Sequence, residues 1–279
     1  MIGRYKRKWI ELVAAKNKGS FLQWQQSHLP ATKKESAYTV VSFSGGKWFA
    51  DQLYSLYSFY INVGKPKQWL IYNDGTYSEM QLQALSKIER VTICNLDSSA
   101  ARLPQIALQK FPTLNKVEIV SKHISEKKII LIDSDILFYK QFNAHENSYL
   151  AANYFLVDEG NRYFDCDFLA ENPSIEQPFN FGLLLLNNRF NMESVYSYLE
   201  ERFSAGVLGY WSDQTAFQKL IMRDKSFLPL DKELFKVGGG DSFHFSHCVD
   251  YNKIALRHFV GPVRHKMWQY SWKKVLGLN

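Results

Sequence analysis

Cysteine is scarce in this chain: Cys94, Cys166 and Cys248 are the whole supply, an odd number with no C-x-x-C spacing. That excludes a disulfide framework and a zinc knuckle, and a reducing compartment is expected. Long apolar runs are missing too. The longest, Phe181–Leu186, falls far below the ~20 residues a membrane-spanning helix needs. The basic start (Arg4, Lys6, Arg7, Lys8) imitates a secretory signal, but Trp9–Ala15 is broken by Glu11 and followed by Lys16 and Lys18, so no export is expected. Repeats and low-complexity tracts are absent, and the composition excludes collagen, coiled coil and disorder.

What is present is ordinary globular material: 279 residues, 46% apolar and 22% charged. That is enough for one large α/β domain with a sizeable core. Lysine and arginine exceed aspartate and glutamate by 34 − 27 = +7. The excess predicts an anionic partner, without separating nucleotide, acidic glycan, nucleic acid and lipid surface. No RNP, KH or zinc-finger pattern occurs and the cations gather at the chain ends, so nucleic acid is not the expected partner.

Along the chain, residues 3–28 read as one or two short helices with Trp9, Leu12, Val13, Phe21, Leu22 and Trp24 as buried positions. Leu29-Pro30 and the polar run Thr32–Ser36 then punctuate. Strands alternate with helices after that: strands at Tyr38–Phe43, Gln68–Tyr72, Arg90–Leu96 and Lys128–Ile132, helices at Trp48–Val63, Ser78–Lys87 and Leu114–Ile124. The second half reads as strands Tyr149–Val157, Phe179–Asn187 and Ile254–Phe259, with helices Met192–Phe203 and Ser212–Met222. The strands are continuous apolar runs, which predicts a mostly parallel sheet buried on both faces, flanked by helices. In such a sheet the ligand crevice lies beyond the carboxyl ends of the strands.

The strand Lys128–Ile132 runs directly into Asp133-Ser134-Asp135. Two carboxylates two residues apart at the mouth of a buried strand repel one another unless a cation neutralises them, and hard oxygen ligands suit Mg²⁺ or Mn²⁺. The plainer reading makes Asp133 a turn cap and Asp135 a solvated acid. Haloacid-dehalogenase-like phosphatases place a nucleophile and a general acid this way. They also need Gly-Asp followed four residues on by Asp, and Gly240-Asp241 is followed by Phe245. Their pair opens the domain, whereas about 130 residues precede this one.

Three further segments accompany the acidic pair: Phe179-Asn180-Phe181-Gly182 before a leucine run, Ser212-Asp213-Gln214 opening a helix, and His258-Phe259-Val260-Gly261. Taken in order with the D-x-D pair, they resemble the GT-A fold glycosyltransferases, in particular the retaining family 8-like group. The resemblance implies a Rossmann-like nucleotide-diphospho-sugar transferase fold over residues 37–262, with a helical extension at 1–36 and a basic, aromatic tail at 263–279. It implies metal ligation by Asp133, Asp135 and His258, with an imidazole beside carboxylates favouring Mn²⁺ over Mg²⁺. A core histidine is the alternative for His258.

Further roles follow from the same resemblance. Asn180, Gly182 and Asp158 would contact the donor sugar. Asp213 and Gln214 would lie at the anomeric centre, where the absence of glutamate at 214 favours same-face substitution over a covalent intermediate. Gly261 would let backbone approach the diphosphate. The expected lysine after it is replaced by Arg264, with Lys266 close behind, and either could pair with phosphate. Ser42 and Phe43 would meet the nucleoside, Ser134 would lie within the metal turn, and Lys47 and Lys116 would reach phosphate. The donor would be a UDP-hexose and the acceptor a glycan or glycolipid. A cytoplasmic location is expected, with the basic ends, Arg4–Trp9 and Lys266–Leu276, resting on the inner face of a membrane or else packing on the domain.

Overall fold

The computed structural model describes residues 2–97, 100–160, 163–238, 250–269 and 271–278. Helix α1 spans Ile2–Gln25, and β1 (Thr39–Ser44) begins the alternating core, followed by α2 (Phe49–Asn62), β2 (Gln68–Asn73), α3 (Glu79–Ser86) and β3 (Val91–Asn95). Helices α4 (Gln105–Lys110) and α5 (Asn115–His123) then lead to β4 (Ile129–Ile132) and β5 (Ile136–Phe138). Next come α6 (Gln141–His145), β6 (Asn153–Val157), α7 (Cys166–Glu171), β7 (Phe179–Leu186), α8 (Glu193–Ser204) and α9 (Ser212–Arg223). Three short strands, β8 (Phe227–Pro229), β9 (Phe235–Val237) and β10 (Leu256–His258), precede a 3₁₀ stretch at Gly261–Trp268 and α10 (Trp272–Val275).

Seven strands form the main sheet in the order β3-β2-β1-β4-β7-β6-β8. Neighbours pair in parallel except β4 with β7 and β6 with β7, so β7 alone runs against the other six. The expected mostly parallel sheet is there, and its apolar strands have a direct cause. Ile130 and Ile132 of β4 lie in one buried cluster with Leu53, Leu56 and Phe59 of α2. Ile129 and Leu131 lie in another with Val117 and Val120 of α5 and Phe217 of α9. Both faces are covered, so no position of the strand can be polar. A smaller sheet, β5-β10-β9, stands beside the first, with β5 and β10 antiparallel.

Some expectations fail. The N-terminal residues form one helix, and Trp9 and Leu12 are 64% and 69% exposed. The buried side is Ile10, Ala14, Phe21 and Gln25. Apolar residues occur on two faces of this helix, and the face that wins carries Phe21. Its ring packs on Tyr54, Tyr57, Trp268 and Trp272 at centroid distances of 5.4–5.6 Å. Trp268 and Trp272 are buried, so these tail aromatics pack on the domain. The sixth strand starts at Asn153, because Tyr149 lies in a 3₁₀ turn over Glu146–Leu150. No helix among the described residues is long and apolar enough to cross a membrane. The His244–Cys248 run and Gly240-Asp241 lie outside the described residues.

Candidate active site

Strand β4 ends at Ile132 and its chain turns through Asp133-Ser134-Asp135 before β5 departs into the smaller sheet. The turn is fixed on both sides: Asp133 N–H donates to the Gly182 carbonyl (2.9 Å), and Asp135 C=O accepts from Phe259 N–H (2.9 Å). The second bond is set by β10, whose His258 pairs with Ile136 of β5. In this way an imidazole 123 residues along the chain comes to the acidic pair, with Nε2 3.1 Å from Asp135 Oδ1 and 3.5 Å from Asp133 Oδ2.

The far side of that ring shows what it is prepared for. Asn180 Nδ2 donates to Asp158 Oδ2 (2.8 Å), which turns Asn180 Oδ1 towards Gly182 N–H (2.9 Å) and His258 Nδ1 (2.9 Å). An amide oxygen can only accept, so Nδ1 carries the proton. The ring is thereby oriented so that its Nε2 faces two carboxylates. An imidazole oriented through its other nitrogen, with carboxylates beside its free face, is a common arrangement for a metal ligand. The donor atoms of Asp133, Asp135 and His258 all lie within 4.8 Å of one another. Two carboxylate oxygens and one imidazole nitrogen fit Mn²⁺ or Mg²⁺.

Gly182 makes room for this ring. A Cβ there would fall 2.2 Å from both Cε1 and Nδ1 of His258. The strand around it is irregular: pairing between β6 and β7 jumps from Phe155↔Leu184 to Leu156↔Asn180. The bulge takes residues 181–183 out of the ladder with β6, as a glycine inside an apolar strand suggests. Helix α9 supplies partners instead. Gln214 Oε1 accepts from Phe181 N–H (3.3 Å) and Gln218 Oε1 from Phe179 N–H (2.6 Å). The Gln214 amide also donates to the Tyr163 carbonyl (3.0 Å).

Cations surround the carboxylates. Lys116 Nζ lies 2.5 Å from Asp133 Oδ1, and Arg264 pairs with Asp135 Oδ2 at 2.5 Å. Burial opposes the Asp135 charge, but His258 and Arg264 outweigh it and hold the carboxyl down at about 2. Burial likewise opposes the Lys116 charge, and Asp133 with Asp213 and Asp135 outweighs it, raising the ammonium above its ordinary range. Burial lifts Asp213 to about 6 against the pull of Lys116, and it also raises Asp158 against the hydrogen bond from Asn180.

Most of the expected residues therefore meet. Asp133, Asp135, His258, Lys116, Asn180, Gly182, Asp158 and Arg264 form one contact network, with Gln214 joined to it through β7 and Asp213 through the field of Lys116. Ser134 is buried within the turn. Of the two candidate phosphate cations, Arg264 is the one on Asp135, while Lys266 is buried in the same 3₁₀ stretch. Gly261, with φ of +31°, opens that stretch. Ser42 points into the core, where it accepts from the Trp69 indole (3.1 Å), and Phe43 packs half-buried on the α5 side. Lys47 lies over the neighbouring Trp48 ring (4.6 Å). Trp48 was not anticipated. It carries the Arg264 guanidinium at 3.6 Å, and its only sequence signal is its place after the Gly45-Gly46 turn.

No family model and no curated protein matches the sequence. Solved structures do match. The galactosyltransferase LgtC, solved with donor and acceptor sugar analogues, superposes with a TM-score of 0.60 at 13% identity, over 86% of this chain and 95% of LgtC. The fold is the GT-A glycosyltransferase fold. GlyE of Streptococcus pneumoniae TIGR4 follows this chain over 87% of its length and 62% of GlyE, with a TM-score of 0.56 and 15% identity. The bifunctional glycosyltransferase WbbM shares 16% identity over 84% of this chain and 47% of WbbM, with a TM-score of 0.55.

Proposed function

We propose that this protein is a metal-dependent, retaining glycosyltransferase that moves a hexose from a nucleotide sugar, a UDP-hexose, to a glycan or glycolipid acceptor. The observation that carries the reading is the convergence of Asp133, Asp135 and a His258 oriented by Asn180 at the carboxyl end of β4, on a glycosyltransferase fold.

Asp133, Asp135 and His258 would hold Mn²⁺ or Mg²⁺. When bound, such an ion supplies Lewis-acid stabilisation of the negative charge that gathers on a departing diphosphate. The chain's own cations act on the same charge. Arg264 Nη1 is buried without a partner while Nη2 holds Asp135, so the guanidinium keeps a donor for an incoming phosphate oxygen. Lys116 adds a second fixed cation. Gln214 keeps one amide hydrogen after bonding the Tyr163 carbonyl, and that hydrogen is available to a sugar oxygen at the anomeric centre. No carboxylate stands at 214, so same-face substitution fits better than a glycosyl–enzyme intermediate, with the leaving phosphate taking the acceptor proton.

A melting screen with UDP, CDP and GDP, each with and without Mn²⁺, tests the reading. UDP should stabilise the fold only when metal is present. Asp135→Asn should remain folded and lose transfer by about 10²-fold or more. Undiminished turnover by that variant would refute the metal role.

A further inference from the structure

Between residues 203 and 211, four large apolar side chains lie exposed: Phe203 (36%), Val207 (53%), Tyr210 (55%) and Trp211 (36%). Single exposed apolar residues are ordinary, but a cluster beside a polar site is not. Two of them join a cluster of three rings, with Tyr163 tilted by 53° to Trp211 and Tyr210 edge-on to it at 89°. Trp211 lies 5.0 Å from Tyr163 and 4.7 Å from Tyr210, centroid to centroid. None of the three belongs to either buried cluster, so core packing does not account for them.

Two of the three rings are tied to the candidate active site. Trp211 directly precedes α9, where its carbonyl accepts from Thr215 N–H (2.9 Å), two and three residues before Asp213 and Gln214. Tyr163 offers its carbonyl to the Gln214 amide. Helix α9 is bonded to β7, the neighbour of β4 on the side opposite β1. Among the described residues, the nearby Arg202 is committed to Asp165 and Asp167, which favours ring contact as the recognition chemistry and a neutral sugar as the ligand.

We propose that Tyr163, Tyr210 and Trp211 line the acceptor subsite, where a neutral pyranose lies with its C–H face against one ring and its edge towards another; the inference rests on the transferase reading above. Aromatic faces carry negative charge density that attracts the weakly positive C–H hydrogens of a pyranose, while the phenol and indole edges reach its hydroxyls. A free glycan and a glycolipid headgroup share this chemistry.

Saturation-transfer NMR on the whole protein, with and without UDP and Mn²⁺, tests it using lactose, cellobiose and maltose and the octyl glycosides of the same sugars. Trp211→Ala and Tyr210→Ala should each weaken binding at least ~10-fold and raise the acceptor KM to match, while Trp211→Phe stays within about 3-fold of the wild type. Melting curves with UDP check that each variant is folded. Equal binding of free and octyl sugars assigns recognition to the sugar itself. Octyl binding that survives Trp211→Ala would overturn the proposal in favour of a lipid contact. Wild-type binding retained by both alanine variants, or a wild type that binds none of the sugars when UDP and Mn²⁺ are present, would also overturn it. A protein that ignores UDP yet loses sugar binding on Trp211→Ala would sink the transferase reading and leave the sugar subsite standing.

Discussion

Gly182 and His258 fix each other's identity. Any Cβ at 182 would meet the imidazole at 2.2 Å, and the ring cannot retreat without leaving Asn180 and the acidic pair. Gly182→Ala should therefore destabilise the fold by about 1–3 kcal/mol through overpacking, and it should weaken Mn²⁺ binding by at least ~10-fold, read by calorimetry. Asp213 offers a test of electrostatics. Burial raises its carboxyl from the ordinary 3.8 to about 6, so it favours the folded state while protonated, below pH 3.8, and that contribution is lost as pH rises through 6. Asp213→Asn should therefore stabilise the protein at pH 8 by up to about 2–3 kcal/mol and have little effect at pH 4. Urea unfolding at the two pH values measures the difference. Part of the site's geometry was legible from the sequence: Asp133, Asp135 and His258, singled out there, lie together in the structure. Trp48 was not legible, since a tryptophan after a glycine turn looks like any core residue until Arg264 is seen upon it.

At the level of elements, the alternating first half was readable because its strands β1 to β4 have four to six residues each, enough to show a mostly apolar run. Strands β5, β8, β9 and β10 have three residues each, too few to show a period of two. β10 was glimpsed only inside the longer Ile254–Phe259 run, and β5 was hidden within the acidic segment. The bulge in β7 was legible as a glycine in a strand, but its partner helix was not. Gln214 and Gln218 stand one helical turn apart and meet Phe181 and Phe179, two residues apart on the strand, because both spacings come to roughly 6–7 Å. Gln218→Ala should leave the Phe179 N–H buried and unpaired, at a cost of about 1–3 kcal/mol in chemical denaturation. Recovery of full stability on Gln218→Glu but not Gln218→Leu would tie that loss to the acceptor oxygen.

For the whole molecule, the ends are part of the core. Helix α1 and the C-terminal segment pack on α2 around Phe21, with the Trp268 indole donating to Asp51 (2.7 Å) and Trp272 to Ser20 (2.8 Å). The sequence reading buried Trp9 and left the tail tryptophans between membrane and domain, because helical spacing leaves two apolar faces on α1. The structure separates them: Trp9 is 64% exposed and Trp268 3%. Trp268→Ala should cost about 3–5 kcal/mol, whereas Trp9→Ser should stay within about 0.5 kcal/mol, both read from thermal denaturation. All seven strands of the main sheet come from residues 39–229, while the imidazole and the guanidinium on the acidic pair arrive only at His258 and Arg264. A ribosome has thus delivered every strand of that sheet before it adds the groups that face Asp135. A product terminated before His258 would carry both aspartates and Lys116 but leave Asp135 without the imidazole and the guanidinium that face it.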